Sequence, residues 1–185
     1  FYLCALAKHS VDSYSNLKFG PEVGISRKKK ESVDVVEIWL SEIERMETDL
    51  EYWKHHSSTF ADISLGDARS TPKRDYIGKV DCVITSPPYP NEKDYSRTTR
   101  LESVILGFIN TKDDLRNIKK GFIRSNSKNV YRNDNDAQYV SNIGSINELS
   151  NKIEERRLEL GKTSGFERLY ASVVKQYFGG MARHL

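Results

Sequence analysis

Cysteine is scarce in this chain, and the two present, Cys4 and Cys82, lie among apolar neighbours without a C-x-x-C spacing. That excludes a disulfide-stapled scaffold and a cysteine-based zinc site, and the pair reads as buried, reduced thiols of a cytosolic protein. No His/Cys spacing points to a metal. No apolar run approaches the roughly 20 residues needed to cross a bilayer. Charge of one sign is lacking too: 29 Lys and Arg stand against 26 Asp and Glu, a net +3 over 185 residues. Global charge therefore announces no polyanion partner, and only local clusters can. The length is that of one ordinary domain with room for a core. The opening "FYLCALAKHS" has no initiator Met and neither the basic nor the apolar segment of a signal peptide. The closing "FGGMARHL" continues a helical pattern, so the chain reads as a piece of a longer protein.

What is present is mostly helical. Residues 1–8 suggest a short helix, and residues 10–30, with Gly20, Pro21, Gly24 and the run Arg27–Lys30, a loop. In "ESVDVVEIWLSEIERMETDLEYWKHH", Val33, Val36, Leu40, Ile43, Met46, Leu50 and Trp53 recur at steps of three and four, predicting one apolar face of a long helix. Ser32 is its candidate start, His55 and His56 suit its C-terminal dipole, and Trp39 and Trp53 are expected in the core. "RLESVILGFI" reads as helical, "TKDDLRNIKKGFIR" opens on a Thr cap with an acidic first turn, and "SINELSNKIEERRLEL" starts at Ser145 and stops at Gly161. "SNSKNVYRNDNDAQ" is polar and reads as a mobile loop. A last amphipathic helix carries Phe166, Leu169, Val173, Tyr177 and Met181.

Two segments read as strands. Ala61–Leu65 ends at Gly66-Asp67, and "VDCVITS", nearly all apolar, suggests an inner strand of a parallel sheet. The link "STPKRDYIGK" between them is turn-rich, with room for one turn of helix. The second strand runs into Ser86-Pro87-Pro88-Tyr89. Two prolines remove two backbone donors, fix two φ angles and hold the preceding serine extended. The segment is stiff, which is useful where acceptors must be held still.

"TSPPY", Thr85 to Tyr89, resembles the catalytic motif of the amino-methylating DNA methyltransferases, and the following "YPNEKDYSRTTRLESVILGF" resembles bacterial site-specific DNA methylases of restriction–modification systems. The resemblance implies an α/β, partial Rossmann-like fold with S-adenosylmethionine as cofactor and double-stranded DNA as substrate. It also implies a cognate restriction endonuclease as a possible partner, a cytoplasmic location and no membrane. In that family the polar first residue and a carbonyl of the Pro-Pro segment accept the two protons of an exocyclic amine, roles that would fall to Ser86 and Pro87. Pro88 completes the rigid segment, and Tyr89 would stack on a base swung out of the duplex. "LGDAR" resembles the family's cofactor-adenine site, with Asp67 as acceptor; the competing account of Asp67 is a turn-former beside Gly66. Arg97 and Arg100 fall where a DNA-facing loop would lie, against the plainer account of a solvated helix start. Arg27–Lys30 could meet phosphates or simply be solvated. Serine before the prolines leans toward cytosine N4 over adenine N6.

The family's Phe-x-Gly-x-Gly loop does not occur in the chain. The expected division is residues 1–110 as part of the catalytic core, 111–160 as a helical insertion touching DNA or a partner, and 161–185 as a helix returning to the core. The fragment alone is expected to be inactive. The competing classes are a non-catalytic DNA-binding or interaction remnant and an amino-methyltransferase acting on RNA or protein.

Overall fold

The computed structural model describes residues 1–20, 23–70, 78–90 and 94–185. Among them the fold is mixed: seven α-helices, short 3₁₀ turns and a single two-stranded sheet. The chain divides into two compact units, residues 1–64 with 95–116, and residues 65–94 with 117–185.

The first unit is built on α1 (Tyr2–Lys8), the antiparallel pair β1 (Leu17–Lys18) and β2 (Gly24–Ile25), α2 (Val35–Tyr52), α3 (Tyr95–Thr98) and α4 (Arg100–Ile105). Its core is small: Ala5, Ala7, Val11, Ile43 and Ile109 are buried. The long helix forms as its periodicity requires, but Asp34 caps it in place of Ser32, accepting from the amide of Glu37 at 2.9 Å. Its apolar stripe is largely uncovered: Val36, Leu40, Leu50 and Trp53 are exposed, so Trp53 is not a core residue. Trp39 is half-buried, its indole N–H donating to the carbonyl of Tyr2 at 3.1 Å. Glu42 is the buried polar centre of the unit. Its carboxylate receives Lys8 at 2.9 Å, His9 at 3.1 Å and Arg45 at 2.6 Å. The expected Thr cap of α5 (Lys112–Lys120) is present as a capping box: Thr111 Oγ1 accepts from the amide of Asp114, whose carboxylate accepts from the amide of Thr111.

The second unit centres on α7 (Tyr170–His184) packed against α6 (Gly144–Glu159) and against the 3₁₀ turn Asp136–Val140. Val173 and Tyr177 are buried along the predicted face of α7, together with Val140 and Ile123, whereas Phe166 is exposed. Val173, fully buried, contributes about 2 kcal/mol of hydrophobic stabilisation. The side-chain amide of Gln176 clamps the turn, donating to the carbonyl of Asp134 and accepting from the amide of Ala137, each at 3.0 Å. Gly179 explains how the helix comes so close: a Cβ there would lie 1.9 Å from the carbonyl oxygen of Asp136. Ser145 lies inside α6, which is flanked at its start by Ile143, and Gly161 (φ +65°) ends it as expected.

Several expectations are corrected. The expected strands 61–65 and 80–86 pair with no ladder among the described residues, and Ile63, Leu65, Val83 and Ile84 are exposed. An apolar run supplies the side chains of an inner strand, but the strand itself needs a neighbour to take its N–H and C=O groups. Cys82, on that uncovered segment, is exposed, as is Cys4 on the outer side of α1. The stretch 125–138 is no loose loop: Ser125, Ser127, Asn129 and Asp136 are buried. The link 70–79 lies mostly outside the described residues. No helix of the described residues is long and apolar enough to cross a membrane, and among them no group of three or more His, Cys, Asp or Glu could hold a metal.

Candidate functional site

Asp67 sits on a turn. Its Oδ1 accepts from the backbone amide of Arg69 at 2.9 Å, and its carbonyl accepts from the amide of Ser70 at 2.8 Å. An Asp two residues ahead of an amide donor is the usual Asx turn. The same carboxylate also takes the Arg69 guanidinium in a fork, Nε to Oδ1 at 2.9 Å and Nη2 to Oδ2 at 2.6 Å. Arg69 beside it holds the Asp67 carboxyl below its ordinary range. Oδ1 has spent both its lone pairs; Oδ2 keeps one, and the side chain is 30% exposed.

Arg69, its side chain only 9% exposed, reaches further. Its Nη1 donates to Asp136 at 2.7 Å and its Nη2 to the carbonyl of Lys120 at 3.2 Å. Asp136 also accepts from Arg183 at 2.6 Å, and the Arg183 guanidinium lies over Tyr139, 5.3 Å from its ring centre. A third pair, Arg124 with Asp134 at 2.8 Å, is likewise buried. Arg124 also donates to the carbonyls of Lys119 and Lys120, each at 3.0 Å, so the last carbonyls of α5 are capped by guanidinium groups. Three arginines and three aspartates thus interlock, and each buried charge has an opposite partner, the condition under which burial is tolerable.

The serine–proline segment lies in the same unit. Ser86 is exposed and its hydroxyl has no partner among the described residues; Pro87 and Pro88 are half-buried and Tyr89 is 75% exposed. The residue before the motif is anchored. Thr85 Oγ1 lies 2.7 Å from Nε2 of His184, whose Nδ1 lies 3.2 Å from the carbonyl of Ala68. A carbonyl only accepts, so Nδ1 carries a proton, and in the neutral ring Nε2 accepts from the threonine hydroxyl. His184 therefore ties the turn that carries Asp67 to the segment that carries Ser86. His184, at the end of α7, ties the two candidate motifs together, and no motif in the sequence marks it. The signal available was the Gly179-Gly180 pair just before it, since two glycines in an apolar helix mark a close approach.

Arg97 and Arg100 belong to the other compact unit. There they line a cavity of about 460 Å³ with Leu17, Val23, Leu101 and Val104, and Arg100 Nε donates to the carbonyl of Ser96 at 3.3 Å. In the basic run, Lys30 is committed to the carbonyls of Asp12, Ser13 and Ser15, which makes it a structural clip; Lys28 and Lys29 remain on the wall of a groove with Lys18 and Phe19. The same unit contains a chain of contacts from Ser13 to His9 (3.0 Å) to Glu42 (3.1 Å). It has the order of a hydrolase relay, but Glu42 is shared with Lys8 and Arg45, and the neighbouring groove is lined by Asp12 and Ser15 rather than by Ser13. It is a buried ion-pair centre.

No family model matches the chain, and neither a curated protein nor a solved structure matches it.

Proposed function

We propose that this chain is part of an S-adenosylmethionine-dependent DNA methyltransferase acting on an exocyclic amine, with cytosine N4 the favoured target, and that the complete enzyme has a Rossmann-like core and works beside a restriction endonuclease. One observation carries this: a Ser-Pro-Pro-Tyr segment, with an open serine hydroxyl and an exposed tyrosine ring, tied through His184 to a Gly-Asp turn.

The chemistry asks little of the protein beyond placement. An exocyclic amine is a poor nucleophile because its lone pair is delocalised into the ring. Ser86 Oγ and the Pro87 carbonyl would each accept one amine proton, turning the lone pair out of the ring plane. The prolines hold the acceptors still and offer no N–H to compete for them. Tyr89 would stack on the flipped base. The bound cofactor would supply the methyl group as an electrophile. Fit to that cofactor is partial: Asp67 retains an acceptor position on Oδ2 for an adenine amine, and the chain has no Phe-x-Gly-x-Gly loop for the methionine end.

A second class, a non-catalytic DNA-binding remnant, is favoured by one observation, the near-saturation of Asp67 by Arg69. Transfer of labelled methyl from S-adenosylmethionine to duplex DNA by the complete enzyme separates the two. Label on cytosine N4 that disappears in Ser86→Ala supports the enzyme; DNA binding without cofactor binding supports the remnant.

A further inference from the structure

The buried network of the second unit forms the floor of a cavity of about 540 Å³. That volume suits a small polar ligand or one sugar–phosphate unit. The floor is electrically balanced: Arg69, Arg124 and Arg183 are offset by Asp67, Asp134 and Asp136. The wall is not. Lys120 and Arg132 are exposed, line the same cavity, and make no ion pair among the described residues. Asn133 and Asn135 stand beside them with side-chain amides that make no hydrogen bond there either. Arg183 is bonded to Asp136 through Nη1 alone, leaving other donors of its guanidinium fork.

The carboxylates of the floor are paired with the three arginines, and the wall adds two full positive charges, guanidinium donors and two asparagine amides that can donate as well as accept. A cationic ligand would be repelled by those two charges. A phosphate group, with several acceptor oxygens and negative charge, matches the set. The rigidity of the floor matters as much. Asp136 and Arg124 are almost completely buried, so the wall is mounted on a fixed base, and little ordering is left to pay for on binding.

We propose that this cavity binds a phosphate group, through Lys120 and Arg132 with help from Arg183, Asn133 and Asn135. The inference does not rest on the methyltransferase reading. The phosphate could belong to a nucleic-acid backbone or to a free phosphate or mononucleotide, and the experiment distinguishes them.

Fluorescence anisotropy with a labelled DNA duplex, competed by inorganic phosphate and by a nucleoside monophosphate, is run on the full chain and on Lys120→Ala/Arg132→Ala. Both residues are exposed and outside the buried network, so circular dichroism is expected to show an unchanged fold. The double variant should bind the duplex at least about tenfold more weakly, with its salt slope smaller by about two, one per lost phosphate contact. Competition by phosphate or the mononucleotide at millimolar levels identifies the free-phosphate source; competition by duplex alone identifies the backbone. A control, Lys28→Ala/Lys29→Ala, removes the same charge in the other unit. Equal loss in the control, an unchanged affinity in the Lys120/Arg132 variant, or no binding of any of these ligands would overturn the proposal.

Discussion

His184 Nε2 lies 2.7 Å from the hydroxyl of Thr85, and the opposite nitrogen of the same ring holds the carbonyl of Ala68. Residues 99 apart in sequence are thereby joined, and so are the two short motifs that the sequence singles out. Neither motif is held by a sheet among the described residues, so this ring does part of the work that a strand ladder would do.

That division of labour can be measured. His184→Ala and Thr85→Val should each lower the stability of the second unit slightly, and the pair should be non-additive by about 0.5–1.5 kcal/mol, the usual net worth of one neutral hydrogen bond. A cycle that adds exactly to the sum of its single variants would mean the contact contributes nothing. Asparagine and glutamine at 184 should not restore the coupling, because each is too short or too narrow to reach both partners at once.

The close approach of α7 makes a sharper case. In Gly179→Ala the new methyl would sit against the backbone of Asp136, which cannot rotate away. We expect a loss of about 2–3 kcal/mol despite the better helix propensity of alanine, which alone is worth about 1 kcal/mol. Gly180→Ala meets side chains and no backbone, Ile123 at 3.2 Å, Asp136 Oδ2 at 3.5 Å and Arg69 Cδ at 3.6 Å, and should cost much less than Gly179→Ala. Denaturant melts of the two variants make the comparison directly.

The helices were legible because their signals are local. The heptad-like spacing through α2, the Thr111–Asp114 box and the glycine after α6 each need only a few neighbouring residues. The strands were not, because a strand is a relation between two segments. "VDCVITS" has the composition of an inner strand, yet Val83 and Ile84 stand exposed, with no paired strand among the described residues. Residues 125–138 failed in the opposite sense. Polarity there reads as solvation, but Asp136 finds its counter-charges in the distant Arg69 and Arg183, Asp134 pairs with Arg124 just before the stretch, and both carboxylates are buried in doing so. Composition records how polar a segment is and leaves out whether its charges have partners. Of the candidate site, the serine–proline segment and Asp67 are visible as motifs, while His184, which ties them together, carries no motif at all.

Glu42 sets the acid response of the first unit. Hydrogen bonds from Arg45 and then Lys8 hold its carboxyl far below the ordinary value of 4.5. A depressed folded value means that the unfolded chain takes up the proton first as pH falls. The stabilisation is therefore fully present above about pH 4.5 and is lost progressively below it. The thermal midpoint of the first unit should decline below that pH, and Glu42→Gln should be less stable at neutral pH with a flatter acid profile. Equal acid slopes in the two proteins would place the titration elsewhere.

Ser86 and Asp67 should separate chemistry from scaffold. Ser86 is exposed and has no hydroxyl partner among the described residues, so in the complete enzyme Ser86→Ala should leave the melting curve and cofactor binding unchanged while reducing methyl transfer by at least about a hundredfold, the scale of one lost catalytic acceptor. Asp67→Ala removes the turn acceptor and strips Arg69 of one of its two carboxylates, so it should lower stability as well as cofactor affinity. The double variant Asp67→Ala/Arg69→Met tests which of those effects is direct. It takes away the buried charge that the single variant leaves short of a partner, and should recover part of the lost stability. Cofactor affinity measured by calorimetry well below both melting points should stay low in the double variant if Oδ2 binds the adenine amine. Recovery of affinity along with stability would assign Asp67 to the turn and to Arg69 alone.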